Sequence, residues 1–422
     1  MTSSPLEQFD AAVRKGDVER TRLLLEENAD VAARINEPRF DFNSPAIHQA
    51  KHNLALVDVL LAHGADITAR STWQAGGFGI LEYDVTPAQA QPLIERGAPV
   101  TAWAAAGLGM LDELKKIVAA RPEALSERGG DGKTLLHCAS SRDIIEFLVD
   151  QGADLDARDV DHASTPLQYL IADTSLARLL IERGARPDIF AAARLGDKAL
   201  VDQCLREDPH ALDARINRPP FAGPGLHMYG WTLGFDLTPF DVARKFGHEQ
   251  LADEMLARAS LKTQLLDALW TGNRDRVHAL IARDAELVKQ LGPDDFTLLP
   301  AAAWWYRPEA VRLMLEVGFD PHTRGAHQST PLDRAAFHGY ADIVEMLLTL
   351  DPHPPIAEEN EFGGTPVGAC LHGLLYGWKT GFPQDHARTV RLLLKAGSTL
   401  DPGTGPTGND AVDAEIRAYF AS

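Results

Sequence analysis

Apolar residues in this chain come in short bursts broken by single glycines, and the stretch STPLDRAAFHGYADIVEMLL (329–348) shows the pattern most clearly. Thr330 is placed to cap a helix through its hydroxyl, and Pro331 falls at the first helical position, where a missing N–H costs nothing. Leu332, Ala335 and Ala336 give that helix a narrow apolar face, and Gly339 ends it. Asp342 is expected to cap a second helix whose buried side is Ile343, Val344, Met346, Leu347 and Leu348. Each helix is apolar on one face only, so the unit must stack on others like it to bury that face.

Similar phrases recur: TPFDVARKFGHEQLADEML from Thr238, TLLPAAAWWYRPEAVRLMLEVG from Thr297, STPLQYL from Ser164 and KTLLHCA from Lys133. Thr134 and Thr165 lie 31 residues apart, Thr297 and Thr330 lie 33 apart, and Thr330 and Thr365 lie 35 apart. Hairpin-like ends recur too, as HGADITAR from His63, QGADLDARD from Gln151, RGARPD from Arg183 and KAGSTLD from Lys395. A period near 33 carrying this phrase resembles the ankyrin repeat, over a stretch from about Leu6 to Leu400. The resemblance implies an all-α solenoid of helix-turn-helix units, a bacterial-type array of about twelve degenerate repeats.

A second type of unit lacks the Thr-Pro start and begins at Ala11, Ala104, Ala191 and Ala268. It keeps a central glycine (Gly16, Gly109, Gly196, Gly272) and predicts a helix end 12 residues later, at Asn28, Arg121, Asp208 and Asp284. Each is followed by a unit with a Thr-Pro-like start, so the array reads as pairs. One unit, Thr86–Gly97, is too short for two full helices. In the closing DAVDAEIRAYF, Val412, Ile416 and Phe420 are four apart, as in a helix covering the open end. The expected organisation is a single solenoid over 1–422, with an N-terminal cap at about 1–10, repeats over about 11–400 and a capping helix at about 409–421.

At 422 residues a chain with one central core would normally split into domains, whereas a stacked array simply lengthens. The three cysteines, Cys138, Cys204 and Cys370, stand far apart, which suggests neither a disulfide framework nor a zinc ribbon. The opening MTSSPLEQFDAAVRKGD has no apolar stretch long enough for a secretory leader, and no later run could span a bilayer, so a cytoplasmic location is expected. A formal net charge of −19 repels nucleic-acid phosphates and anionic lipid, and favours partners with a basic patch.

Three connections exceed an ordinary turn: Ile67–Asp84, Asn217–Leu237 and His372–His386, the last between the two helices of one unit. All carry aromatics, among them Trp73, Tyr229, Trp231 and Trp378, which fits either loops packed on themselves or binding loops. In ankyrin repeats the two residues before the central glycine, with the hairpin tips, line a concave groove. The resemblance carries that role to Phe246, Trp270, Trp304, Trp305, Phe337 and His338, with Tyr306 beside them. A row of rings gives large contact area at low entropic cost. The alternative for Trp304 or Trp305 is packing against a neighbouring helix.

Chemical motifs are sparse. GGDGKT (129–134) has Glu127 where a phosphate-binding loop needs its first glycine, and it reads better as a hairpin tip. His48 and His52, four apart in HQAKH, could hold zinc, but His48 and His137 match the histidine that ties loop to helix in ankyrin repeats. Asp161, His162, His322 and His327 fall on tips, where an acid and an imidazole could do general acid–base work; solvated surface is the simpler role. No catalytic residue, cofactor or metal is therefore assigned. Two functions fit: a scaffold gripping a protein or peptide in an acidic, aromatic-lined groove, and a small-molecule or enzymatic pocket closed by the long loops.

Overall fold

The computed structural model describes residues 3–73 and 75–421. Their regular elements are helices; the only β-type feature among them is an isolated bridge between Phe40 and Ser44. No helix among them is long and apolar enough to cross a membrane. Contacts divide the chain into two compact units, Met1–Arg258 and Ala259–Ser422.

Local chemistry explains the helix ends. Pro331–His338 starts at Thr330, whose hydroxyl accepts from the Asp333 amide at 3.2 Å while Asp333 Oδ2 accepts from the Thr330 amide at 2.8 Å. This reciprocal box satisfies two donors that a helix start leaves open. The same box opens the helices at Thr86, Thr165 and Thr238. Gly339 ends Pro331–His338 at φ 68°, a left-handed conformation that costs a glycine little. The ends predicted at Asn28, Arg121, Asp208 and Asp284 are the C-caps of Val18–Glu27, Leu111–Ala120, Lys198–Glu207 and Arg274–Arg283. The start of Ala341–Leu348 differs from expectation. Its cap position is Tyr340, with no side-chain cap bond, and Asp342 instead accepts from the Tyr306 hydroxyl at 3.0 Å.

In the second unit, Leu298–Trp304, Pro331–His338 and Pro366–Tyr376 pack side by side as one layer. Pro308–Val317, Ala341–Leu348 and His386–Lys395 form a second layer, on which Asp410–Phe420 closes. Leu299, Leu332, Val344, Leu347, Val390 and Leu393 fill the space between the layers, each fully buried. Val412 and Ile416 join this core as expected, while Phe420 stays exposed. In the first unit, Pro5–Lys15 packs on Val18–Glu27, which packs on Leu54–Ala62; Ile189–Leu195 packs on both Lys198–Glu207 and Pro239–Lys245. The short unit at 86–97 holds one helix, Pro87–Glu95.

The buried histidines of the first unit act as structural ties. His137 Nε2–H donates to Ser164 O at 3.0 Å, and its Nδ1 accepts from the Thr134 amide at 3.1 Å. His48 Nε2–H donates to Ala69 O at 2.9 Å, and His52 Nε2 pairs with Asp84 at 3.0 Å, so these two rings are not turned to one metal. Burial pushes His48, His137 and His227 down to about 4. Their pKa is lower folded than unfolded, so the unfolded chain takes up protons first as pH falls. Stability is therefore complete above about pH 6.5 and is lost from there down to about pH 4, by at most about 3 kcal/mol per ring. Urea midpoints of the first unit should fall steeply across that window. His137→Gln should remove about a third of the slope; an unchanged slope would contradict the assignment.

Candidate functional site

The first-layer helices of the second unit bring several expected rings together. Trp304, at the end of Leu298–Trp304, lies 5.3 Å from Phe337 at 28°, a stacked pair, and meets His338 edge-on at 4.2 Å. Trp378, from the connection after Pro366–Tyr376, approaches Trp304 at 5.8 Å and His338 at 5.5 Å. The Arg334 guanidinium lies 4.6 Å from the Trp304 ring centroid and donates to Ala326 O. A cavity of about 530 Å³ opens here, with Trp304, Phe337, Phe362, His372, Asp333 and Arg334 in its lining.

The polar groups are held in fixed states. Asp333 is only 3% exposed; Oδ2 is engaged by Thr330, whereas Oδ1 has no hydrogen-bond partner. Burial raises its pKa above the ordinary carboxylate value. His338 is buried, its Nδ1 has no partner, and burial pushes it down to about 4, so the ring is neutral near pH 7. At the rim His327 Nδ1 pairs with Glu361, and Arg324 pairs with Glu358. Phe362, which lies 5.1 Å from the His327 ring, is 74% exposed.

The remaining expected residues divide. Trp305 is 60% exposed, beside the stacked rings rather than among them. Tyr306 is half-buried against Tyr340 and Phe382, with its hydroxyl spent on Asp342. Trp270 is half-buried under the Arg307 guanidinium, 4.3 Å from its ring. In the first unit, Phe246 lies under Arg194 at 4.1 Å, and Trp231 is exposed against Phe235. Trp73 packs edge-on to Phe42, and that cluster, with Phe78 and Tyr83, covers its own loop. Tyr229 is the clearest departure from the expected binding loop: it is wholly buried, with its hydroxyl 3.0 and 2.9 Å from the two Asp188 oxygens. Asp161 and His162 meet on a turn tip, where His162 Nδ1 bonds Leu226 O at 2.7 Å.

Phe362 and His372 were not singled out from sequence. A signal for Phe362 exists: it precedes Thr365 by three residues, as His327 precedes Thr330 and Asp131 precedes Thr134. That position is the turn tip, and Asp131 and His327 adopt φ values of 58° and 60° there.

Comparison with known families adds one finding to this geometry. Residues 131–160 match the ankyrin repeat. The matched segment contains the Gly129–Lys133 turn from residue 131, the Leu135–Cys138 turn of helix and the Arg142–Asp150 helix. It also contains the tying histidine, His137, in the role the resemblance implied. The phosphate-loop alternative for GGDGKT is set aside by the same geometry, because Gly129 N–H donates to Lys133 O across a tight turn. No curated protein matches the chain. An ankyrin repeat suggests a protein–protein interaction scaffold, a module that is typically not enzymatic.

Proposed function

We propose that the chain is a cytoplasmic ankyrin-repeat scaffold, built from repeats beyond the matched one. Its second unit holds a protein or peptide partner at the aromatic cavity around Trp304 and Phe337. The observation that carries this reading is the combination of stacked rings, an adjoining cavity and exposed Trp305, Phe362 and Trp378 in one unit. Large exposed rings are costly on a free surface and give binding sites their strongest contacts. The net charge of −19 favours a partner with a basic patch, which it would attract faster, and disfavours nucleic acid and anionic membranes. No residue is assigned a catalytic role.

A photo-crosslinker placed at Phe362 or Trp305 should trap the partner, whose affinity can then be measured. Phe362→Ala and Trp305→Ala lie on exposed rings and should leave the fold intact while weakening binding about tenfold each, typical of an interface anchor. Unchanged affinity in the double variant would remove this surface as the interface. A second reading has its own support. A cavity of about 530 Å³ with an unpartnered carboxylate oxygen is within the size range of small-molecule sites. A thermal shift with a metabolite mixture, abolished by Trp304→Ala, would favour it.

A further inference from the structure

In the first unit, two successive turn tips and the long 217–237 connection converge on one point. Asp131 stands on the first tip and Asp161 and His162 on the second, and the two are joined by the Val160 and Asp161 amides donating to Asp131 O at 2.9 and 3.1 Å. The connection then folds back over them: Gly225 N–H donates to Asp161 O at 2.9 Å and Met228 N–H to Ser164 Oγ at 3.1 Å. A Cβ on Gly223 would meet the His162 backbone at 2.7 Å, so only a glycine fits this approach.

His162 is locked in one tautomer by this arrangement. Leu226 O can only accept, so at 2.7 Å the His162 Nδ1 must carry the hydrogen, and the neutral ring's lone pair is left on Nε2. That lone pair faces Asp161 Oδ2 at 3.8 Å and Asp131 Oδ2 at 3.9 Å, too far for either to be a hydrogen bond. Asp131 is 8% exposed, and its carboxylate, within 3.4 Å of Lys133 Nζ, accepts no hydrogen bond among the described residues. The nearby Asp159 differs: its oxygens take the His162 and Ser164 amides and the Tyr169 hydroxyl. Three donor atoms within 4.8 Å of one another thus lie in a largely buried place, with Asp131 Oδ2 held only by its ion pair to the Lys133 ammonium.

We propose that Asp131, Asp161 and His162 bind a divalent transition-metal ion of the zinc type. One imidazole and two carboxylates suit such an ion, and a backbone carbonyl on the imidazole's far nitrogen is the usual outer support of a metal-bound histidine. Zinc holds nitrogen and oxygen ligands at about 2.0–2.2 Å, so tetrahedral donors sit roughly 3.4 Å apart. His162 Nε2 would close on each carboxylate by about half an ångström from 3.8–3.9 Å, the two carboxylates, which lie within 4.8 Å of each other, would draw together by up to about 1.4 Å, and the Lys133 ammonium would swing aside. The remaining coordination position is left to water. The bound ion would tie both tips to the long connection through His162.

The test is Zn²⁺ titration of the chelator-stripped full chain by calorimetry, with Co²⁺ absorption as a second readout. One high-affinity ion per chain is expected, with a visible Co²⁺ band showing nitrogen–oxygen ligation. Asp161→Asn and Asp131→Asn keep shape while removing charge, and each should weaken the site at least tenfold. His162→Gln should abolish the Co²⁺ band. Circular dichroism keeps loss of the site distinct from loss of the fold. Zn²⁺ binding unchanged in His162→Gln and Asp161→Asn, or no saturable binding by wild type, would overturn the proposal.

Discussion

Tyr229→Ala should be the most damaging single change in the first unit, at a cost of about 3–5 kcal/mol, the range for emptying a large aromatic site in a core. The ring is wholly buried, 5.6 Å from Phe190 and 5.1 Å from His227, so a substantial cavity would remain. Tyr229→Phe keeps the ring and removes only the hydroxyl between the Asp188 oxygens. It should cost about 1–3 kcal/mol, because a carboxylate that also caps Ile189–Leu195 loses one of its donors. Asp188 retains the Gln168 amide at 2.8 Å and two backbone N–H groups, which sets the upper end. Urea unfolding of both variants measures the two terms separately. A cost below about 1 kcal/mol for the alanine variant would contradict the burial on which this ranking rests.

The second large effect is expected at Gly373. This residue lies inside Pro366–Tyr376, where alanine is normally the better helix former by about 1 kcal/mol. A Cβ there would fall 1.7 Å from Phe337 O and 2.6 Å from Phe337 C, a backbone clash that no side-chain rotation relieves. The two first-layer helices would have to separate, and overpacking of this kind costs about 1–3 kcal/mol or more, enough to outweigh the helix preference. Because Phe337 and His372 both line the cavity, Gly373→Ala should also weaken partner binding, beyond its effect on stability. Gly368 supplies the control in the same helix. Its Cβ would meet only Thr365 Oγ1 at 3.5 Å, so Gly368→Ala should be neutral or stabilising by up to about 1 kcal/mol. Thermal unfolding of the pair separates the clash from the propensity.

These two sites also show where sequence reading reaches and where it stops. The helix ends at Asn28, Arg121, Asp208 and Asp284 were legible because one glycine and a fixed count specify them locally. The caps at Thr165, Thr238 and Thr330 were legible for the same reason: the atoms involved lie three residues apart. Asp342 was misassigned because its carboxylate went to Tyr306, 36 residues away, and only packing brings that hydroxyl near. Trp304 and Phe337 stand 33 residues apart, a spacing that put them on one stripe but did not specify that their rings stack. The fate of loop aromatics could not be read from sequence. Tyr229 and Trp231 are two residues apart in one connection, yet one is wholly buried and the other mostly exposed. No local pattern distinguishes them, since Asp188, the partner that draws Tyr229 inward, is 41 residues distant.

The 217–237 connection bears on how the first unit comes apart. Neighbour-only contacts let an array lose its layers one after another, since each layer depends on the adjoining ones alone. The bonds from His162 to Leu226 and from Ser164 to Met228 each bridge 64 residues. They act as a strap across the intervening helices, which cannot melt singly while it holds. Amides on either side of the strap should therefore exchange with solvent in a single shared opening, as one cooperative block.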